Sequence, residues 1–89
     1  MQYKLKEPID IGGKVIEEVT IKEKYNAGDY IECQNAGANV GDQNCRQVSL
    51  AIDLGEPLVK KMSVADYVEI LKISTDFFLK NTGAAKENS

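Results

Sequence analysis

The stretch MSVADYVEILKISTDFFLK, Met62–Lys80, decides the fold. Ser63 stands just before an apolar-periodic run and Asp66 follows three residues later, a capping-box arrangement with Asp in place of Glu. Met62 precedes the cap and Tyr67 comes at the fourth helical position, the pair that forms a hydrophobic staple. A helix is predicted from Val64 to about Lys80. At about 100° per residue, Ile73, Phe77, Ile70, Tyr67, Phe78, Leu71, Val64, Val68 and Leu79 fill an arc of roughly 240°. Lys72, Ala65, Asp76, Glu69 and Lys80 occupy the narrow remainder. A surface helix needs an apolar stripe only a little over 100° wide. The excess predicts either a helix covered on two sides or one with an open flank, and the flank left spare is Val64, Val68 and Leu79.

Upstream, the period changes. Tyr3 and Leu5 alternate with Lys4 and Lys6, which is the period of a strand. Pro8 lacks an N–H, so the first strand is an edge strand or stops there. Gly12-Gly13 supplies the positive φ of a tight turn. Val15, Glu17, Val19 and Ile21 then share one face, with Ile16, Glu18, Thr20 and Lys22 on the other. Two further helices are predicted. One runs about Ala27–Asn35, capped by Asn26 with Asp29 in its first turn. The other runs about Gln43–Leu54, capped by Asp42, with Cys45, Val48 and Ile52 inward and Gly55 and Pro57 ending it. Gln34–Asn44 reads as a polar loop. The fold class is α+β: an N-terminal β-hairpin followed by three helices, the C-terminal helix longest. Residues 1–80 form a single domain, and 81–89 are expected to be a disordered tail.

The chain has 89 residues, a formal net charge of −3, no histidine and two cysteines, Cys33 and Cys45. At this size the fold buries about 9,000 Å² of the roughly 14,000 Å² an unfolded chain exposes, enough for one thin core. Without histidine, His-based triads and His-ligated metals are excluded. Arg46 is the only arginine, so no basic face for nucleic acid is expected. No long apolar run is present, so neither a membrane span nor a signal peptide is expected. Asp29, Asp66 and Asp76 are the carboxylates one would try to group. Asp29 and Asp66 are better used at helix starts, and Asp76 lies on the solvated stripe. Gly12-Gly13 and AGANVG lack the Lys and helix of a phosphate loop. No cofactor or metal site and no enzymatic activity are expected. A binding role is favoured by elimination and by the wide apolar helix.

The order of segments resembles a known family. KLKEPI (Lys4–Ile9) leads through GG to KVIEEVTIKE (Lys14–Glu23), AGDY (Ala27–Tyr30) opens a helix, and LGEP (Leu54–Pro57) ends the next. MSVADY (Met62–Tyr67) then leads a helix closing in DFFL (Asp76–Leu79). Across residues 3–79 this is similar to the phage tail assembly chaperones, the tail protein E class of contractile-tailed phages. The resemblance implies a non-catalytic helper that binds the tape measure protein and assists tail tube assembly. It implies action in the host cytoplasm and absence from the mature virion. The partners it implies are the tape measure protein, the tail tube protein, further copies of the chain, and a longer frameshifted form. The codons of Phe78-Leu79-Lys80-Asn81 permit a slippery heptamer for that form. The residues expected to bind a partner are Val64, Val68, Ile73, Phe77 and Leu79. The alternative is a small oligomeric structural subunit of the tail or connector.

Overall fold

The three longer helices among the described residues each begin where a short polar side chain, Asn26, Asn39 or Ser63, takes an orphan backbone amide. The computed structural model describes residues 1–82 and has two strands, β1 (Gln2–Ile11) and β2 (Lys14–Thr20), followed by four helices. These are α1 (Ala27–Gln34), α2 (Val40–Ile52), a single turn α3 (Glu56–Val59) and α4 (Val64–Asn81). It is a mixed α+β fold with an N-terminal antiparallel hairpin and the last helix longest. In α1, Asn26 Oδ1 accepts from the Asp29 amide at 2.9 Å and the Asp29 carboxylate accepts from the Asn26 amide at 3.0 Å, a complete capping box. In α4, Ser63 Oγ accepts from the Asp66 amide at 3.1 Å. Helix α2 starts earlier than its sequence suggests. Asn39, not Asp42, is its cap, and Asn39 Oδ1 accepts from the Asp42 amide at 2.8 Å. The loop is correspondingly shorter, and Gly37 is required in it because a β-carbon there would collide with the Asp42 carboxylate. Helix α2 ends at Asp53, which takes the left-handed conformation at φ 55°. Gly55 and Pro57 then open α3 rather than merely closing α2.

The hairpin departs from simple alternation. Gly12 and Gly13 have φ of 56° and 93°, the positive pair that a two-residue turn matching strand twist requires. Tyr3 pairs with Val19 and Ile9 with Ile16, but the register breaks between Lys4 and Ile9. Strand β1 therefore runs on through Pro8, which sits inside the irregular stretch where its missing N–H costs no ladder bond. The break also changes which side chains of β2 face inward. Ile16, opposite buried Ile9, packs on the core, whereas Val15 is 53% exposed. Beyond Glu17 the inward positions are Val19 and Ile21. Of the face shared in the sequence by Val15, Glu17, Val19 and Ile21, only the last two members are buried.

One core lies between the hairpin and the helices. Leu5, Ile9, Val19 and Ile21 meet Val48, Ala51 and Ile52 of α2, Val59 of α3 and Ile70 of α4. Cys45 is only half-buried beside them, and Ala51 takes the inward place beside Val48. Gln47 joins α2 to α4, its Nε2 donating to Ser74 Oγ at 2.8 Å and Thr75 Oγ1 at 3.0 Å. Asn81 belongs to α4, not to a tail. Its Nδ2 donates to the Glu23 and Phe77 carbonyls at 2.9 Å and 2.6 Å, and its Oδ1 accepts from the Tyr25 amide at 3.1 Å. The remainder of the expected tail, 83–89, lies outside the described residues.

Candidate partner-binding surface

The side chains of α4 divide into three sets. Asp66, Ile70 and Ser74 are fully buried. Tyr67, Leu71, Ile73 and Phe77 are partly buried and pack against the core. Val64, Val68 and Leu79 remain 78%, 54% and 51% exposed. Of the five residues expected at a partner surface, these last three are therefore accessible. Ile73 and Phe77 point into the packing between α4 and its neighbours, and so contribute to the fold first. The physical reason is angular: α2 and β1 cover two sides of α4, and the remaining arc holds Val64, Val68 and Leu79 among Lys72, Thr75 and Asp76.

The two ends of this arc differ in shape. Near the C-terminal end of α4 a cleft of about 440 Å³ opens between α4 and α1, lined by Tyr25, Ala27, Tyr30, Phe78, Leu79 and Thr82 among others. Its wall is aromatic: Tyr25 stacks on Phe78 with centroids 4.2 Å apart, and the Tyr30 ring lies tilted at 6.1 Å from Phe78. No lining side chain carries a charge at neutral pH. Tyr25 also stays neutral, because burial, then the nearby Asp29 carboxylate, push its phenol up to about 12. Its hydroxyl donates to the Lys22 carbonyl at 2.6 Å. At the N-terminal end a shallower cleft of about 320 Å³ is lined by Cys45, Val59, Met62, Val64 and Tyr67 among others, so both members of the expected Met62–Tyr67 pair border it.

A larger concavity, about 1020 Å³, mixes charged and apolar lining and lies elsewhere, around the C-terminal end of α2. Five of its charged groups pair with one another. Lys22 meets Asp29 at 3.1 Å, and Arg46 bridges Glu32 at 3.3 Å and Glu56 at 3.5 Å. Those pairs tie α1, α2 and α3 together, and partly exposed pairs of this kind contribute little energy each. Size alone does not make it the stronger candidate, since Lys22, Asp29, Glu32, Arg46 and Glu56 are already engaged with one another.

Sequence reasoning missed Asp66. It is 0% exposed, and its carboxylate accepts four hydrogen bonds. The donors are Tyr3 Oη at 2.9 Å, the Lys6 amide at 3.0 Å, the Glu7 amide at 3.1 Å and Ser63 Oγ at 2.9 Å. The register break in β1 turns the Lys6 and Glu7 amides toward α4, and Asp66 satisfies both. Burial raises its pKa, but the bonds from Lys6, Glu7, Tyr3 and Ser63 outweigh this and hold the carboxyl below its usual range. Tyr3 moves the other way, pushed up to about 12 first by burial and then by its bond to Asp66. The signal available in the sequence was Pro8 in the strand, which marks a break that leaves amides unpaired. The remaining candidate groups do not converge. Asp29 is spent on the α1 cap and Lys22, and Asp76 is exposed on α4. Burial, then nearby carboxylates, push both the Cys33 and Cys45 thiols up, away from the thiolate. Among the described residues no group of three or more Cys, Asp or Glu is placed to hold a metal ion, and no helix is long and apolar enough to cross a membrane.

No family model, curated protein or solved structure matches this chain.

Proposed function

We propose that the chain is a non-catalytic binding protein that covers an apolar helical segment of a client. The observation that carries this reading is one accessible face of α4, with Val64 and Val68 at its N-terminal end and Leu79 beside an uncharged aromatic cleft at its C-terminal end. Aliphatic knobs next to an uncharged, aromatic-walled concavity suit the apolar face of an amphipathic helix, which docks through aliphatic anchors one turn apart. Joined to the resemblance of residues 3–79, the client is the tape measure protein, held soluble in the host cytoplasm until tail tube subunits assemble around it. The test is co-purification of the chain with overlapping tape measure segments. Val68→Glu and Leu79→Glu abolish capture while circular dichroism stays unchanged. Capture that survives both substitutions refutes the assignment of this surface.

A second reading, a small structural subunit of the tail, has its own observation. Among the described residues the sheet has two strands only, so the outer edge of β2 has no neighbouring strand and offers a place for edge-to-edge pairing. Mass spectrometry of purified virions separates the readings, since a chaperone is absent from the particle and a subunit is present.

A further inference from the structure

The exposed positions of α4 carry a spacing that client binding does not require. Ala65, Val68, Lys72, Thr75 and Leu79 are all exposed, and they follow one another at intervals alternately three and four residues. That is the seam spacing of two helices packed side by side. The seam is also self-complementary end to end. Its N-terminal end projects Val64 and Val68, and its C-terminal end carries Leu79 and the aromatic cleft. A knob and a hole at opposite ends of one helix are what a two-fold antiparallel pair needs, because each residue then meets a different residue of the other copy, twice.

We infer that a second copy of the chain packs antiparallel on this seam, with Val68 of one copy against Leu79 of the other. The register follows from the spacing. Setting Val68 opposite Leu79 sets Lys72 opposite Thr75 and beside Asp76 of the second copy. Lys72 is the only cation on the seam, and the pairing gives it a carboxylate across the axis in both directions. A parallel, in-register pair would set Lys72 against Lys72, the knob against the knob and the cleft against the cleft. Val64 of the second copy comes to lie about 6 Å beyond Leu79 along the axis, at four residues of helical rise. That position is over the cleft bounded by Tyr30 and Thr82, and it covers the most exposed large apolar side chain of α4.

The pairing shares its surface with the client reading but not its premise, so it is read on the purified chain with no client. If both hold, client and second copy compete for α4. An 18-residue helix is about 27 Å long, so the contact is narrow and the dimer is of the weak, reversible class.

The test uses the full chain. Sedimentation from about 1 μM to about 500 μM gives a reversible monomer–dimer equilibrium with a midpoint on the order of 10–100 μM. Lys72→Asp or Asp76→Lys alone weakens it about fivefold, the scale of a partly exposed ion pair, and the double exchange restores it. Orientation is read by oxidation in a Cys45→Ser background. Val68→Cys mixed with Leu79→Cys cross-links between copies. Val68→Cys alone does not, because in this register its two copies stand about 16 Å apart along the axis. A chain that stays monomeric at the highest concentration overturns the inference. So does a dimer in which Val68→Cys cross-links to itself as fast as to Leu79→Cys, or one unaffected by Lys72→Asp.

Discussion

Helices α1 and α4 open with the same local grammar and use it differently. Asn26 and Ser63 are the caps, and Asp29 and Asp66 sit at the third helical position of each. The Asp29 carboxylate folds back onto its own cap amide and onto Lys22 near the surface. The Asp66 carboxylate leaves its cap amide alone and reaches across the molecule to β1. Four residues of context do not distinguish them. What lies opposite does: α1 faces solvent and a lysine, whereas α4 faces two strand amides that a register break has turned outward. One aspartate therefore finishes a helix, and the other fastens two halves of the fold.

The largest effect expected from this comparison is at Asp66. Asp66→Ala leaves the Lys6 and Glu7 amides and the Tyr3 hydroxyl without their acceptor in a buried site and costs about 3–5 kcal/mol, measured by urea unfolding. Asp66→Asn keeps the shape but loses the charge and one acceptor, and falls between the wild type and Asp66→Ala. Asp29→Ala costs about 1 kcal/mol, the scale of losing one capping-box bond and one ion pair near the surface. Equal losses at the two positions would break the comparison.

Titration sharpens it. Asp66 is held below its usual carboxylate range in the folded chain, so the unfolded state takes up protons first. Its stabilisation is present above the unfolded carboxyl's range and is lost as pH falls through the folded value. Tyr3 is raised from 10.0 to about 12, so its share is full below pH 10 and is lost as pH rises through about 12. The latch between β1 and α4 thus weakens at both extremes. Unfolding free energy measured across pH gives a plateau between them. Tyr25, also raised to about 12, shares the alkaline limb, so Tyr3→Phe makes that limb shallower and leaves the acid one. A Tyr3→Phe variant with an unchanged alkaline limb would assign that limb to another group.

The smallest stability effect is on the outer face of α4. Val68→Glu changes stability by no more than about 0.5 kcal/mol, as for surface positions generally. Phe78→Ala costs more, about 1–3 kcal/mol, because Phe78 is half-buried and loses its stack on Tyr25. Comparable losses at Val68 and Phe78 would mean that Val68 is packed rather than exposed.

The parts legible in the sequence were those fixed by neighbours along the chain. Asn26 with Asp29, and Ser63 with the apolar run behind it, located α1 and α4 nearly to the residue. The open flank at Val64, Val68 and Leu79 was legible because an arc of apolar residues was too wide for one thin core to cover. The start of α2 was not, since Asn39 and Asp42 are both sound caps three residues apart and nothing in the local sequence chooses between them. The inward face of β2 was read as regular because the break in β1 is set by its partner across the sheet, not by β2 itself. Asn81 looked like the first residue of a polar tail. Its amide is used by Glu23, Tyr25 and Phe77, contacts that lie partly in another third of the chain. A frame change upstream of Asn81 would remove that tie, and one downstream would keep it.

The Asp66 latch joins partners 59 and 60 residues apart, and Asn81 reaches back 56 residues to Tyr25. During synthesis the hairpin therefore emerges well before the α4 residues that complete it. Until α4 has left the ribosome, the Lys6 and Glu7 amides have no acceptor and the apolar side of the sheet has no cover. A two-stranded hairpin is marginal on its own, and closing contacts at such separations is slow compared with forming a local turn. The chain thus behaves as a single kinetic unit, in which a nascent or truncated product lacking α4 is an unfinished sheet rather than a smaller version of the same domain.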